Sequence, residues 1–418
     1  MDKFVIQGPT PLQGDLRVSG AKNAVLPLMA ASLLARGESI IDNVPDLQDV
    51  RFFMTLLDGL GARCVLDGHR LSIDTAGVNK CSAPYDLVRK MRASIYVLGP
   101  LLGARGAARV SLPGGCAWGP RPVNLHLEGM TALGADIELD EGYIQASSAG
   151  RLRGGHFRFE PSSVGGTANV LMAAVLAEGE TVLENCAVEP EVTCLVEALV
   201  EAGARIEGLG TTTLHITGVG EIAPLRHAVI ADRIEAGTIM AAVAMAGGAV
   251  RLLGVDCEHL HPVTGVLREM GCGMREGRGT LVIESVGRPR AVDVSTRPYP
   301  GFPTDLQAQV MAVCSVAEGT SFITETIYPD RFTHVPELVR LGADIRVDGS
   351  RATVFGVPNL TGAPVMATDL RASAALVLAG VAAEGTTTVN RVYHIDRGYE
   401  RIEERLCALG AKIERTKE

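Results

Sequence analysis

Apolar and polar positions recur along this chain in six units of about 70 residues, and each unit carries two helical patterns. The first is a run of small apolar residues that ends at a glycine. LMAASLLARG closes at Gly37, LMAAVLAEG at Gly179, MAVCSVAEG at Gly319 and LVLAGVAAEG at Gly385, with weaker copies closing at Gly106 and Gly247. A helix that is apolar on nearly every face is expected to be buried all round. The second pattern is amphipathic and ends in Leu-Gly-Ala or a near copy at Gly61, Gly134, Gly203, Gly271, Gly342 and Gly410, spaced by 73, 69, 68, 71 and 68 residues. In the last unit, RGYERIEERLCALGA sets its charges opposite Ile402, Leu406 and Leu409, and Gly410 stands where a helix-terminating glycine belongs. β-Branched runs such as Thr386 to Val389 and Ile40-Ile41 follow the turns and read as strands.

One buried helix per unit, with strands and a second helix around it, predicts an α/β fold with helices inside and sheets outside. Six units predict two domains of three, dividing near residue 230 between the third and fourth units. The first strand, Phe4 to Gln7, can pair in either domain. No Ser- or Pro-rich linker is present, so short extended strands are expected to join the domains.

Composition narrows the classes. The 418 residues suffice for two or three domains. Hydrophobic content is 47% and charged content 21%, as in an ordinary globular protein, while the scarcity of aromatics (4%) beside 48 glycines favours close backbone packing. A net charge of -9 argues against nucleic acid and anionic membranes as partners, yet leaves room for a local basic pocket. The opening MDKFVIQGPTPLQG has no apolar core of signal-peptide length. The most membrane-like stretch, Gly237 to Val250, has 14 residues, fewer than the roughly 20 a span needs. Nine cysteines with no CxxC pair point to free thiols in a reducing compartment, hence the cytoplasm. His259 and His261 have no further ligand pattern nearby, so no metal site is expected.

The candidate chemistry lies at the starts of the apolar helices. Lys22, Arg92, Ser163, Arg233, Asp305 and Arg371 each precede the closing glycine of their unit by 14 to 16 residues. Helix N-termini attract anions, and an Arg placed there needs a nearby anion or carboxylate. Asp232 and Asp369 are candidates for that carboxylate, which would make these residues satisfied polar groups and nothing more. Arg121, Arg331 and Arg397 are expected to open the second helices of units two, five and six, and guanidinium groups suit phosphate and carboxylate. The loop LPGGCAWGPRP, Leu112 to Pro122, has no counterpart in the other units. It places Cys116 among glycines and prolines with Arg121 nearby, and a cation lowers a thiol's pKa. Trp118 reads as a surface packing residue. Ser163 to Thr167 opens the third apolar helix in a form that can cradle phosphate. Dinucleotide, Walker, GxSxG and HExxH signatures are absent.

SGAKNA (Ser19 to Ala24), LPGGCAWGPRPVNLH (Leu112 to His126), FPTDLQAQ (Phe302 to Gln309), ATDLRAS (Ala367 to Ser373) and YHIDRGYERIEERL (Tyr393 to Leu406) together resemble the enolpyruvyl transferase family, in the branch that uses a UDP-amino sugar. The resemblance covers essentially the whole chain. It implies a two-domain inside-out α/β barrel, with one domain at 22–229 and the other made of 1–21 plus 230–418. It also implies transfer of the enolpyruvyl group of phosphoenolpyruvate to the 3′-hydroxyl of UDP-N-acetylglucosamine by addition and elimination. Phosphate is released, in the first committed step of peptidoglycan synthesis. No cofactor or metal is implied.

Residue roles follow from the resemblance alone. Lys22, Arg121 and Arg397 look like the phosphate-binding set. Arg331 and Arg371 look like partners of the carboxylate or of developing charge. Asn23 looks like a contact to the reacting hydroxyl, Asp305 like the base that takes its proton, and Asp369 like an aid to proton transfer. Cys116 matches a loop cysteine that serves as proton donor or forms an adduct with phosphoenolpyruvate; the sequence leaves both open. The epoxide fosfomycin is expected to alkylate it. Arg92, Arg121, Pro122, Val123, Asn124, Leu125, Ser163, Val164, Gly165, Asp305 and Ile327 look like the UDP-sugar contacts. Asn124 stands where the family commonly has Asp, and Pro161 where it commonly has Lys, which alters the uridine and diphosphate contacts rather than the reaction. Closure of two domains on the nucleotide sugar is expected. Competing readings are a sister enzyme using shikimate 3-phosphate, disfavoured by the Cys116 loop and Arg-Pro-Val-Asn-Leu, and a non-catalytic scaffold for anionic metabolites, disfavoured by Asp305.

Overall fold

The computed structural model describes residues 2–88, 91–112 and 123–417. The chain divides into two compact units. One is Gly20–Ile230, and the other joins Met1–Ser19 to Ala231–Glu418. Each carries three four-stranded sheets.

The two helical patterns become two kinds of helix. The small-residue runs form Lys22–Ala31, Leu98–Arg105, Val164–Ala174, Arg233–Ala246, Gln307–Val316 and Leu370–Ala382. In each unit three of them pack on one another, and Arg233 to Met245 is buried without a break. Glycine permits this approach. A Cβ on Gly99 would lie 2.1 Å from the carbonyl oxygen of Asn169 on the neighbouring helix. The amphipathic runs form the outer helices, among them Gln48–Leu60, Pro190–Glu201, His261–Glu269 and Ile402–Ala408. The twelve glycines that close the patterns all take positive φ, from 69° at Gly106 to 126° at Gly37, a conformation that costs glycine little.

Every sheet has the same plan. A short strand lies parallel to the strand that follows the inner helix, and two antiparallel strands complete the row. The parallel strand comes from the end of the preceding repeat. Ser82–Ala83 pairs with Ala107–Ser111, and His156–Arg158 with Glu180–Glu184. Arg226–Ala228 then returns to Glu38–Asp42, which closes three repeats into a ring. The other unit closes differently. Its sixth repeat lacks two strands, and the chain's first residues supply them. Asp2–Gly8 lies between Gly385–Asn390 and Lys412–Lys417, and Leu12–Arg17 lies parallel to Gly248–Leu253. The Phe4 strand therefore belongs to the unit of repeats four to six. This inner-helix, outer-sheet plan is the inside-out α/β barrel. No helix among the described residues is long and apolar enough to cross a membrane.

Candidate active site

In the unit of repeats four to six, three sequence candidates form one cluster. Asp305 lies in the 3-10 turn Thr304–Leu306 that leads into Gln307–Val316. Its Oδ1 accepts from Arg331 Nη1 at 2.9 Å, and its Oδ2 accepts from Arg371 Nε at 3.2 Å and Nη2 at 2.9 Å. Arg331 and Arg371 are 7% and 3% exposed, so the guanidinium charges are buried beside a carboxylate that keeps 26% side-chain exposure. Burial by itself would raise the Asp305 carboxyl, but the charges of Arg371 and Arg331 prevail and hold it well below the usual carboxylate range. Arg331 Nη1 also donates to Thr304 Oγ1 at 2.9 Å. Arg371 lies 5.4 Å from the Tyr399 ring centroid. Gln309 Nε2 donates to Tyr399 Oη, to Thr238 Oγ1 and to the Asp305 carbonyl, which ties the turn to the helix core.

The sequence offered Asp232 and Asp369 as partners for the helix-end arginines; both cap helices, and the charge of Asp232 also acts on Arg371. Asp232 Oδ1 accepts from Ile234 N and Glu235 N, and Asp369 Oδ1 accepts from Arg371 N and Ala372 N. The carboxylate paired with the Arg371 side chain is Asp305. Two further expectations need correction. Arg331 lies four residues before the helix Val335–Arg340, and Arg397 ends the 3-10 turn Val392–Arg397, five residues before Ile402–Ala408. Both precede the outer helices rather than open them, because a turn intervenes. Arg397 is half-buried. Burial first, and then the charge of Arg397, lowers the pKa of His394, which also senses Asp369. Ile327 is held by its backbone, with its N–H donating to Glu325 Oε1 at 2.9 Å.

In the unit of repeats one to three, Lys22 is the first residue of its helix and forms a 2.5 Å ion pair with Asp49, itself 1% exposed. Asn23 follows, half-buried. A second group gathers around His126. Asn169 Nδ2 donates to His126 Nδ1 at 3.0 Å and to the Ile95 carbonyl, while its Oδ1 accepts from Gly99 N at 2.7 Å. That contact leaves the His126 proton on Nε2, because Nδ1 accepts. Burial and then the nearby charge of Arg92 push His126 down to about 4, so the ring is neutral at pH 7. A Cβ on Gly165 would lie 3.3 Å from His126 Nε2. Arg92, His126 and the turn Ser163-Val164-Gly165 are thus neighbours. Ser163 caps its helix by accepting from Gly166 N at 3.1 Å. Val123 and Leu125 are half-buried, whereas Asn124 is exposed and donates to Glu128 Oε1 at 3.1 Å. Cys116, Arg121 and Pro122 lie outside the described residues. No group of three or more His, Cys, Asp or Glu that could hold a metal occurs among the described residues.

Sequence reasoning missed Asp49, Thr304, Glu325 and the His126–Asn169 pair. Asp49 and Asn169 are partners brought in from other segments, whereas Thr304 and His126 lie inside the quoted motifs but give no local sign of the contacts they make. Glu325 was open to detection by superposing the repeats.

Two buried guanidiniums beside a carboxylate offer the kind of donors that suit small anions. The family model described as EPSP synthase (3-phosphoshikimate 1-carboxyvinyltransferase) matches residues 6–406. The chain belongs to that family, the enolpyruvyl transferases. The solved enolpyruvyl transferase NikO from Streptomyces tendae has a TM-score of 0.90 and 28% identity, covering 99% of each chain. EPSP synthase from Acinetobacter baumannii shares the fold at TM-score 0.77 and 17% identity over the full length of both. Much nearer in sequence are proteins named UDP-N-acetylglucosamine 1-carboxyvinyltransferase. Those of Anaeromyxobacter sp. (strain Fw109-5), Anaeromyxobacter dehalogenans (strain 2CP-C) and Geobacter metallireducens are 55%, 56% and 52% identical, covering 100% of each chain.

Proposed function

We propose that this protein transfers the enolpyruvyl group of phosphoenolpyruvate to the 3′-hydroxyl of UDP-N-acetylglucosamine and releases phosphate. It thereby opens peptidoglycan synthesis in the cytoplasm. Full-length relatives at 52 to 56% identity support the acceptor, and the free thiols of the described cysteines fit a reducing compartment. Asp305 bridged by Arg331 and Arg371 is the observation that carries the chemistry.

The reaction is addition followed by elimination. C3 of phosphoenolpyruvate takes a proton, the sugar oxygen bonds to C2, and the hydroxyl proton passes to Asp305. The tetrahedral adduct then loses phosphate and a C3 proton, which restores the double bond. Asp305 is ionised at neutral pH, so it can accept a proton, but two guanidiniums make it a weak base. The anionic groups of phosphoenolpyruvate compete for the same donors. As Arg331 and Arg371 turn toward substrate, the carboxylate loses its partners and gains basicity when the acceptor is in place.

Lys22, Arg121 and Arg397 serve the phosphate, Asn23 the reacting hydroxyl, and Asp369 assists proton transfer. Cys116 is the proton donor or adduct-forming thiol. Arg92, Arg121, Pro122, Val123, Asn124, Leu125, Ser163, Val164, Gly165, Asp305 and Ile327 bind the UDP-sugar. The functional domains run 22–229 and 1–21 plus 230–418. Phosphate release measured with UDP-N-acetylglucosamine and with shikimate 3-phosphate tests the reading. Turnover only with the first supports it, and turnover only with the second overturns it.

A further inference from the structure

The residue that follows the strand after each inner helix occupies the same place in all six repeats. It is Asn43, Leu112, Asn185, Gly254, Glu325 and Arg391. At Asn43, Asn185, Gly254 and Arg391 the backbone takes positive φ, at 58°, 52°, 81° and 60°. The two asparagines use Nδ2 to hold the carbonyl that ends the parallel strand, Val229 O and Phe159 O. Repeats two and five depart from this plan, and repeat five does so with an acid. The corresponding carbonyl, Thr296 O, is held by the Thr326 hydroxyl, and Glu325 has no positive φ. The exchange leaves the Glu325 carboxylate for other work, although it is 0% exposed.

That carboxylate accepts four hydrogen bonds. Oε1 takes Thr296 Oγ1 at 2.7 Å, Ile327 N at 2.9 Å and Tyr328 N at 3.0 Å, and Oε2 takes Thr304 Oγ1 at 2.8 Å. A hydroxyl has one proton. Because Thr304 gives its proton to Glu325, its lone pairs face Arg331 Nη1, which donates to it at 2.9 Å and also to Asp305 Oδ1.

We infer that Glu325 is a positioning residue for the transfer reaction, setting the polarity of the Thr304 hydroxyl and through it the aim of Arg331 at Asp305, while fixing the backbone of Ile327 and Tyr328. The inference rests on the enolpyruvyl transfer proposed above. It separates acceptor chemistry from mere space filling. A glutamine at 325 must aim its NH2 either at one hydroxyl, Thr304, or at the three donors on the other side. Facing Thr304 is the lesser conflict. The hydroxyl then accepts from the amide and turns its proton toward Arg331, where two donors meet.

The test measures phosphate release from phosphoenolpyruvate and UDP-N-acetylglucosamine, together with thermal melting. The proteins are wild type, Glu325→Gln, Thr304→Val, Thr304→Ser and the double variant Glu325→Gln/Thr304→Val. Glu325→Gln and Thr304→Val are each expected to lower kcat/KM roughly tenfold to a hundredfold, the worth of one hydrogen bond to a charged group. Thr304→Ser, which keeps the hydroxyl, is expected to stay near wild type, and the double variant to be no worse than the weaker single one. Glu325→Gln within twofold of wild type overturns the inference. So does Thr304→Ser as damaged as Thr304→Val, or a double variant that loses the product of the two effects. If Glu325→Gln does not fold, the Thr304 pair decides alone. A wild-type protein that releases no phosphate is a separate result, which removes the transfer reading and this inference together.

Discussion

Asp305→Asn is expected to weaken the fold, and substrate anions are expected to restore it. The amide keeps the size of the side chain and one acceptor oxygen but removes the negative charge between two guanidiniums that are 7% and 3% exposed. Taking one partner from a buried ion pair costs about 3–5 kcal/mol. Asp305 retains 26% side-chain exposure, so water and the remaining oxygen reduce this to about 2–4 kcal/mol. In a unit of about 200 residues, that corresponds to a fall in melting temperature of roughly 5–12 °C. The arginines left unpaired should then gain more than the wild type from an added anion. The assay is thermal unfolding of both proteins with and without phosphoenolpyruvate, and separately with inorganic phosphate, alongside steady-state phosphate release. Turnover should fall about 10²- to 10⁴-fold with the loss of a general base. The reasoning is refuted if Asp305→Asn melts with the wild type and responds no more to anions. A variant that binds both substrates and turns over at the wild-type rate removes Asp305 as the base.

Two further outcomes are expected. Glu235 is buried, accepts from Ser19 N at 2.7 Å and lies 3.0 Å from Arg405; burial pushes its carboxyl up to about 7, with Arg405 opposing and Asp232 adding to the rise. Since the folded value exceeds the roughly 4.3 of an unfolded Glu, the folded state binds more protons between those values, and stability falls as pH rises toward 7. The melting temperature of Glu235→Gln should therefore gain on the wild type between pH 5 and pH 8, and a constant difference would contradict this. Fosfomycin is expected to add one equivalent of mass at Cys116. Peptide mapping that places the adduct on another cysteine, or finds none, counts against a reactive loop thiol.

The repeat was legible because a glycine at a left-handed helix end is a local necessity. Gly61 and Gly410 sit at the same conformation, near 104° and 102°, whatever packs around them. The inner helices were legible because no polar face exists to reach water. The strands at Phe4 and Thr386 were legible but their pairing was not, since Phe4 pairs with Val389 and Arg415 across nearly the whole chain and no local pattern fixes that register. Among site residues, Asp305, Arg331 and Arg371 could be singled out from their place in the repeat, but which carboxylate met which arginine could not. Asp369 stood two positions from Arg371 and was a reasonable partner by proximity. The capping geometry engaged its Oδ1 with backbone N–H groups instead. Asp49 shows the same limit from the other direction. Its carboxylate looks like an ordinary first-turn acid of an outer helix, and only the tertiary fold brings Lys22 to it.

The borrowed strands at residues 2–17 have a consequence for biosynthesis. That segment finds its hydrogen-bonding partners only when residues 248–253, 385–390 and 412–417 have been made. Gly20–Ile230 draws all its strands from within itself and can finish its three sheets during translation. The other unit cannot complete its sheets until Lys412–Lys417 has been made, and Asp2–Gly8 stays unmatched until then. The interval between making residue 2 and making residue 417 is therefore the aggregation-exposed period for this protein.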